Sequence, residues 1–495
     1  MTLPRGTISG HLRNLSLVAM LLLTACSVNP ATGERSFTAF MSPDDELRVG
    51  REEHPKILKQ FGGGYDNAKV AAYVDSVGQK LVRTSELPNL KFTFTVLDDD
   101  IVNAFALPGG YVYISRGLLG LANTEAELAA VLGHEIGHVT ARHSAQRYSS
   151  AVLAQGLSLG AGILGSVFLG TSDIGQAAAQ GSAVYMQSFS REHEFEADTL
   201  GVRYLSRNRY STDAMASFLA SLQAFSALEA KVSGLPDPAE RYNIMSTHPR
   251  TQDRVVAATR AANIQPVPNS VIGNREYLQA IDGITFGDSE QEGLVRDRVF
   301  VHKPLDFLFQ VPPDFKLFNG AQQVVARGPN NEGILFSGGK LSHNGPMHTY
   351  LTGVWAKNTS LSGVETIDIN GMEAATGATR LRNNSGTFDA RLVAIRHDPE
   401  HIYRFIFLTP TSRTAARSED FRRSTFSFRK LTRADRNRYR EWHIETRTVG
   451  RNDTVARLSR NMPLPGPKDE WFRVINGLRP GSEPFPGQTV KVVVE

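Results

Sequence analysis

The sequence predicts a multidomain protein, in which a mainly helical α+β domain precedes an α+β or mostly β domain and a small βααβ module. The chain has 495 residues, and domains commonly contain about 100–200 residues. Apolar residues recur at helical spacing over 44–264, whereas 299–430 carries short aromatic and β-branched runs between turn residues. With 41% hydrophobic and 21% charged residues, the composition is typical of folded cores.

Charge and cysteine content exclude several classes of protein. There are 54 Lys and Arg against 50 Asp and Glu, a formal net charge of +4, so the chain does not coat nucleic acid, and we expect no nucleic-acid partner. The positive charge is concentrated near the end, because 430–495 contains 13 Lys or Arg and 8 Asp or Glu. The single cysteine excludes an intramolecular disulfide and a zinc site built from cysteines.

The first 25 residues are typical of an export signal. Arg5 and Arg13 supply positive charge, and the apolar run Leu15–Leu23 is too short to span a membrane. Leu23-Thr24-Ala25-Cys26 resembles the bacterial lipoprotein box, which implies that cleavage leaves Cys26 as a lipidated first residue. Ser27 after the cysteine implies sorting to the inner leaflet of the outer membrane, with the chain in the periplasm. The alternative is an ordinary secretory signal with a chance cysteine.

Composition shifts predict the remaining boundaries. In chain order we expect a tether over 26–43, a helical domain over 44–264 with strands near Lys91–Leu97 and Gly110–Ser115, a linker over 265–298, a β-rich domain over 299–430, a basic helical connector over 431–444 and the βααβ module over 445–495.

Two segments of this outline allow more than one interpretation. The glycine-rich stretch 151–170 favours a mobile helical hairpin or lid over a membrane span, since repeated glycine weakens a helix. Phe309–Phe315 resembles the start of the PsbP/Mog1-like fold.

The segment His134-Glu135-Ile136-Gly137-His138 is an HExxH motif on a predicted helix. Thr124 and Glu127 have capping-box spacing at its start. His134 and His138, at i and i+4, share one face and can bind one Zn²⁺ ion. Glu135 follows the first histidine, so it can reach a metal-bound water and act as general base. The alternative is an ordinary amphipathic helix with two surface histidines.

Ser190–Asp198 resembles the third-ligand helix of the zinc peptidase family that contains HtpX and the CAAX prenyl endopeptidases, whose pattern is HExxH followed by ExxxD. The resemblance implies a zincin-type fold with Glu194 as third ligand and Asp198 orienting a liganding histidine. On the same helix we expect Glu192, His193 and Glu196 to be solvated. His143 is expected to pack near the site or to support a ligand.

Two further segments match this family. Asn103, Ala104, Phe105 and Ala106 open its Asn-Ala-Phe-Ala-x-Pro-Gly-Gly segment, which implies an edge strand where a substrate peptide can pair. Thr247-His248-Pro249 with Arg254 matches its His-Pro-x(4)-Arg motif. His248 then stabilises the transition state or acts as a fourth, latency-imposing ligand, unless it only starts a helix. Arg254 is expected to bind carboxylates around the site.

The chain most resembles the periplasmic, BepA-like lipoprotein branch of the family, because it lacks the membrane spans of other members. No 34-residue repeat follows residue 262. The resemblance implies a zinc endopeptidase that degrades misfolded or stalled envelope and outer-membrane proteins. The alternatives are a non-proteolytic chaperone or peptidoglycan-tethered scaffold with a latent zinc site, and a peptidoglycan hydrolase.

The final residues resemble a LysM module. Asp453–Ser459 is similar to its first helix start, Phe472–Leu478 to its second helix and following turn, and Pro486-Gly487-Gln488 to the turn before its last strand. The resemblance implies peptidoglycan as a partner of 445–495. The alternative is a module of the same shape that binds no glycan.

Overall fold

The chain divides into two units, and its C-terminal residues belong to the first. A computed structural model describes residues 26–159, 188–233, 248, 251–264, 266–320, 323–341, 343–383 and 386–495. Unit 1 contains the chain up to Ile284 together with Ile444–Val494, and unit 2 contains Thr285–His443. A multidomain chain with a helical region followed by a β-rich region is therefore confirmed. Within the described residues, no helix has the length and hydropathy that a membrane span requires.

The first part of unit 1 is mainly helical with one small sheet. Its helices are α1 Pro43–Gln60, α2 Ala68–Val82, α3 Arg116–Leu121, α4 Glu125–Thr140, α5 His143–Leu159, α6 Arg191–Arg207, α7 Asp213–Ser233, α8 Thr251–Ile264 and α9 Asn274–Ile281. Its strands are β1 Cys26–Val28, β2 Arg35–Phe37, β3 Thr93–Leu97, β4 Ala104–Leu107 and β5 Tyr111–Ser115. β5 lies between β3, which is parallel to it, and β4, which is antiparallel.

Helix α4 is the buried centre of this unit. Thr124 accepts a hydrogen bond from the Glu127 backbone N at 3.0 Å, which caps the helix as expected. The Glu127 carboxylate accepts from the backbone N of Asn123 rather than of Thr124. Leu128, Leu132 and their apolar neighbours are fully buried, so burial on all sides holds the helix in place.

Two segments differ from the expected tether and linker. Within 26–43, β1 and β2 pair as a hairpin, and Asn29 and Met41 are buried. Within 265–298, helix α9 buries Tyr277 and Ile281, and the Tyr277 hydroxyl donates to the Leu119 carbonyl at 2.6 Å. Proline and glycine content misled the prediction, because a few well-spaced apolar residues suffice to bury a short helix.

Unit 2 is built from antiparallel sheets, as the alternating apolar runs predicted. Its elements are β6 Thr285–Phe286, β7 Leu294–Arg296, β8 Val299–His302, β9 Phe307–Gln310, β10 Lys316–Asn319, β11 Val324–Arg327, β12 Gly333–Lys340, α10 Met347–Tyr350, β13 Ser362–Ile369, β14 Met372–Asn383, β15 Gly386–Arg396, β16 His401–Pro410, α11 Thr414–Ser427, β17 Arg429–Lys430 and α12 Arg433–Arg438. Seven strands pair in the order β10-β11-β12-β16-β15-β14-β13, and four in the order β17-β9-β8-β7. Phe336, Phe405 and Phe428 are among the buried aromatic residues of its core.

The C-terminal residues form a strand, two short helices and a strand. These are β18 Trp442–Thr448, α13 Val455–Ser459, α14 Lys468–Ile475 and β19 Thr489–Val494, and β18 pairs with β19. In α14, the Trp471 ring contacts Phe225 of α7 at 5.9 Å between centroids. The module predicted for 445–495 is therefore packed within unit 1, and its likeness to LysM stays a prediction.

A buried lysine joins β19 to the region before α4. Lys491 is 0% exposed, and its Nζ donates to the carbonyls of Gly120, Leu121 and Ala122 at 2.9, 3.1 and 2.6 Å. An ammonium group has three N–H donors, so this arrangement satisfies it completely. Lys491 therefore caps the carbonyls at the C-terminal end of α3, immediately before Thr124, the N-cap of α4.

We expect Lys491→Met to lower the free energy of unfolding of unit 1 by about 3 kcal/mol, because it leaves the buried carbonyls of Gly120 and Ala122 without a donor. Urea unfolding followed by far-UV circular dichroism measures the difference. Lys59→Met, at an exposed position in α1, is the matched control and should leave the midpoint within error. Equal stability of Lys491→Met and wild type would show that the Lys491 contact does not stabilise this unit.

Candidate metal centre

Two helices bring the predicted ligands together at a close backbone contact. In α4, a Cβ added to Gly133 would lie 3.3 Å from the Cα of Gly201 in α6. One added to Gly137 would lie 3.2 Å from the Ala197 carbonyl oxygen. A Cβ at these positions would require the neighbouring backbone to move by a few tenths of an ångström, so the glycines let α6 lie close enough to place Glu194 beside the two histidines of α4.

Four buried side chains converge at this contact. Ligand atoms of His134, His138, Glu194 and His248 all lie within 4.8 Å of one another. His134 Nε2 is 3.0 Å from His138 Nε2 and 3.5 Å from Glu194 Oε2, and His138 Nε2 is 3.5 Å from Glu194 Oε1. Around a tetrahedral Zn²⁺ with bonds of about 2.0–2.1 Å, ligand atoms lie about 3.3 Å apart. The spacing and the donor types therefore fit one zinc ion.

Glu135 lies beside the cluster without belonging to it. Its side chain is 0% exposed, and neither carboxylate oxygen has a hydrogen-bond partner among the described residues. Burial raises the pKa of this carboxyl. A buried carboxylate without a hydrogen-bond donor is costly, and a metal-bound water that takes the place of His248 among the ligands would supply that donor. This orphaned group is a second observation that fits a hydrated metal.

His248 joins the ligand cluster through its Nδ1 atom. This nitrogen lies 2.9 Å from Glu194 Oε1 and 3.3 Å from His134 Nε2. The other ring nitrogen, Nε2, is 3.6 Å from Glu135 Oε1. Of the two roles expected for His248, this position is the one that a fourth ligand would occupy. The adjoining Thr247 and Pro249 lie outside the described residues.

Asp198 and Arg254 surround the ligands with charge. Asp198 Oδ1 is 2.9 Å from His134 Nδ1, the nitrogen that does not face the cluster. Arg254 donates from Nε and Nη2 to Asp198 at 2.8 and 2.7 Å, and its Nη1 is 2.8 Å from Glu194 Oε2. Burial opposes ionisation of Asp198, yet Arg254 and its hydrogen bonds lower the pKa of that carboxyl. Asp198 thus lies beside a histidine of the cluster and Arg254 beside two carboxylates, and the roles expected for both residues stay predictions.

The expected substrate strand lies next to the HExxH helix. Asn103 is buried and precedes β4, whose residues Ala104, Phe105 and Ala106 are also buried. β4 packs against α4 and pairs with β5 on one side. No described strand pairs with its other side. The Phe105 ring stacks on Tyr113 with centroids 4.9 Å apart, which fixes the strand.

Two expectations about neighbouring residues are wrong. Glu196, expected to be solvated, has Oε2 3.2 Å from His143 Nε2. His193, expected to be exposed, stacks on the His143 ring with centroids 4.3 Å apart. Glu192 is exposed as expected. Spacing within α6 alone could not identify these contacts, because His143 comes from the start of α5.

Other expected features are not tested by the geometry. Cys26 begins β1, and its lipidation stays a prediction. Helix α5 covers 151–159, and the rest of the proposed hairpin or lid over 160–170 lies outside the described residues.

An HExxH helix with a glutamate ligand from a second helix defines the class of zinc-dependent metallopeptidases. Residues 68–262 match the sequence profile described as Peptidase family M48, and that range contains all four converging side chains. This part of the chain is therefore similar to peptidase family M48.

Curated relatives carry corresponding names. The "Beta-barrel assembly-enhancing protease" of Yersinia pestis is 31% identical over 265 residues, 52% of each chain. Its namesake in Escherichia coli K12 is 29% identical, over 54% of this chain and 56% of that protein. The "Mitochondrial metalloendopeptidase OMA1" of Schizosaccharomyces pombe is 26% identical, over 46% of this chain and 63% of that protein. The chain thus spans about half the length of the first two relatives.

A likeness to a solved structure concerns a smaller share of the chain. The cyanobacterial PsbP protein CyanoP of Synechocystis is 14% identical, with a TM-score of 0.22 over 29% of this chain and 98% of that chain. A TM-score this low does not establish a common fold, so the PsbP-like resemblance stays a prediction.

Proposed function

We propose that the chain is a zinc-dependent endopeptidase of the bacterial cell envelope. The observation that carries the proposal is the buried Glu135 carboxylate, which has no hydrogen-bond partner among the described residues and lies beside His134, His138 and Glu194. Two imidazoles and a carboxylate are the ligand set of known zinc peptidases. The match of residues 68–262 to the profile of peptidase family M48 supports the same reaction.

The proposed mechanism assigns one task to each side chain. His134, His138 and Glu194 would hold a zinc ion, which would lower the pKa of a bound water molecule and polarise the scissile carbonyl. Glu135 accepts the proton of the attacking water and returns it to the leaving amine. A carboxyl whose pKa is raised by burial suits both transfers, because its proton affinity approaches that of the groups it serves.

His248 is proposed to control entry to the site. With Nδ1 among the ligand atoms, it occupies the place that water or a substrate carbonyl needs. A substrate must displace it, after which its ring can stabilise the oxyanion. Arg254 keeps Glu194 and Asp198 ionised and in position.

We propose misfolded or stalled envelope proteins, in particular outer-membrane proteins, as substrates. Support comes from the names of the relatives in Yersinia pestis and Escherichia coli. The place of β4 at the edge of its sheet, beside α4, supports pairing with an extended peptide. The alternatives, a chaperone or scaffold with a latent zinc site and a peptidoglycan hydrolase, are less favoured, because neither accounts for both an orphaned general base and peptidase relatives.

Two attachments are proposed for the mature chain. Cys26 within its lipobox-like sequence supports a lipid anchor in the inner leaflet of the outer membrane. The strand, two helices and strand of 442–494, with the Pro486-Gly487-Gln488 turn, support peptidoglycan binding by 445–495. The excess of Lys and Arg over 430–495 suits contact with anionic envelope polymers.

We expect Glu135→Gln to reduce cleavage of a purified, unfolded outer-membrane β-barrel protein by about 10²–10⁴-fold, because the general base is lost. Zinc content should stay at one ion per chain, because Glu135 is not a ligand. Gel electrophoresis of the digestion and atomic absorption measure the two quantities.

The matched control is Glu192→Gln, which alters an exposed carboxylate of α6 and should leave cleavage unchanged. Equal cleavage by wild type and Glu135→Gln would refute the peptidase proposal. If neither cleaves while both bind zinc and suppress aggregation, the chaperone alternative replaces it.

We expect Cys26→Ser to release the exported protein from the outer-membrane fraction, because the acyl anchor cannot form. Fractionation of cells followed by immunoblotting measures the distribution. Recovery of the variant in the outer membrane, at the wild-type level, would contradict a lipid anchor.

Mixing the released protein with purified peptidoglycan then tests the second attachment. We expect the protein to sediment with the peptidoglycan, and recovery in the supernatant alone would refute glycan binding.

A further inference from the structure

The two histidines of α4 are held in different ways. A histidine that binds a metal normally donates its other N–H to a carboxylate or carbonyl oxygen. His134 has such a partner, because its Nδ1 is 2.9 Å from Asp198 Oδ1. His138 instead directs its Nδ1 to a nitrogen, Nδ1 of the fully buried His143, at 2.9 Å. The partner of His138 is therefore itself a histidine, and either of its ring nitrogens can carry its proton.

A single arrangement of protons satisfies this pair when His138 binds zinc. With Nε2 facing the metal, neutral His138 carries its proton on Nδ1 and donates it to His143. His143 must then accept on Nδ1 and carry its own proton on Nε2. That atom lies 3.2 Å from Glu196 Oε2, and an ionised carboxylate only accepts. Each N–H donor in this series therefore has an acceptor, and Glu196 is the last of these acceptors.

The remaining oxygen of Glu196 leads to the N-terminal hairpin. Asn29, in the β1–β2 turn, donates from Nδ2 to Glu196 Oε1 at 2.8 Å. Asn29 is 3% exposed, and its own Oδ1 accepts from the Ala31 backbone N at 2.9 Å. Its amide is thus oriented by the hairpin, with the nitrogen toward Glu196.

A second contact fixes the same hairpin beside His143. Arg142, between α4 and α5, has a left-handed backbone with φ of 57°. Its buried guanidinium donates to Ser27 Oγ at 3.0 Å, the Met41 carbonyl at 2.8 Å and Glu46 Oε2 at 2.8 Å. A left-handed non-glycine residue costs free energy, and these bonds offset it. The turn that places His143 therefore depends on residues that follow Cys26.

We propose that His143 and Glu196 are positioning residues for the ligand His138, and that Asn29 ties them to the hairpin that follows Cys26. The proposal rests on the proposed zinc site. Under this proposal, the hairpin that follows the lipid anchor proposed at Cys26 helps to hold the ligand His138 in place. Loss of a partner that orients a zinc ligand typically weakens metal affinity by about 10–100-fold.

We call the hydrogen bonds that run from His138 through His143 and Glu196 to Asn29 the relay. Zinc affinity, measured by competition with a chromophoric chelator, tests the relay without a protease assay. We expect a loss of about 10–100-fold for His143→Ala and about 10-fold for Glu196→Gln. Asn29→Ala should lose about two- to ten-fold, the effect of one hydrogen bond. His143→Asn keeps an acceptor near the position of Nδ1 and should recover most of the loss. Glu192→Gln, an exposed carboxylate of the same helix, is the matched control.

The visible spectrum of the Co²⁺-substituted protein supplies a readout that general destabilisation does not move. We expect His143→Ala and Glu196→Gln to shift its ligand-field bands and Glu192→Gln to leave them unchanged. Circular dichroism identifies variants that fail to fold. If His143→Ala is one of them, Glu196→Gln and His143→Asn decide the outcome.

The outcomes separate this proposal from the proposed function. Wild-type affinity and spectra in folded His143→Ala and Glu196→Gln would overturn the relay while the zinc site stands. If Asn29→Ala keeps wild-type zinc affinity while His143→Ala binds zinc more weakly, the hairpin takes no part in positioning His138. A wild-type chain that binds no zinc would refute the proposed function and the relay together.

Discussion

The approach of helices α4 and α6 at their glycines is the constraint on which the metal centre depends. Gly133 and Gly137 face α6 so closely that a Cβ at either position would lie 3.2–3.3 Å from its backbone. At that separation Glu194 reaches both His134 and His138, although 56 residues separate it from the second histidine in sequence. Protein interiors resist such displacement because they are close-packed, so the contact sets the ligand geometry.

Charge balance is the second requirement of a site that is almost fully buried. Glu194 and Asp198 lie in the interior, where an uncompensated carboxylate is costly. Arg254 pairs with both, and its five fixed donors suit two carboxylates at once. Glu135 is left out of this network. Arg254 therefore compensates the charges of Glu194 and Asp198, whereas Glu135 has no hydrogen-bond donor among the described residues.

The sequence predicted the parts of this centre that depend on one helix at a time. HExxH spacing on a helix capped by Thr124 required only local periodicity, and the third-ligand pattern around Glu194 was recognisable by resemblance. Contacts between distant segments were not predictable, because helical faces do not reveal what packs against them. Glu196 was expected to face solvent for this reason, whereas His143 and Asn29 reach it from other segments. The burial of Lys491 was equally hidden, since isolated lysines are almost always exposed.

Diffraction from crystals of the Zn²⁺-loaded protein, recorded on both sides of the zinc absorption edge, tests the central claim most directly. We expect one anomalous peak within about 2.0–2.2 Å of His134 Nε2, His138 Nε2 and a Glu194 oxygen, with Glu135 nearby and unbound to the metal. A peak without Glu194 as a ligand, or no peak at this contact between α4 and α6, would contradict the assignment.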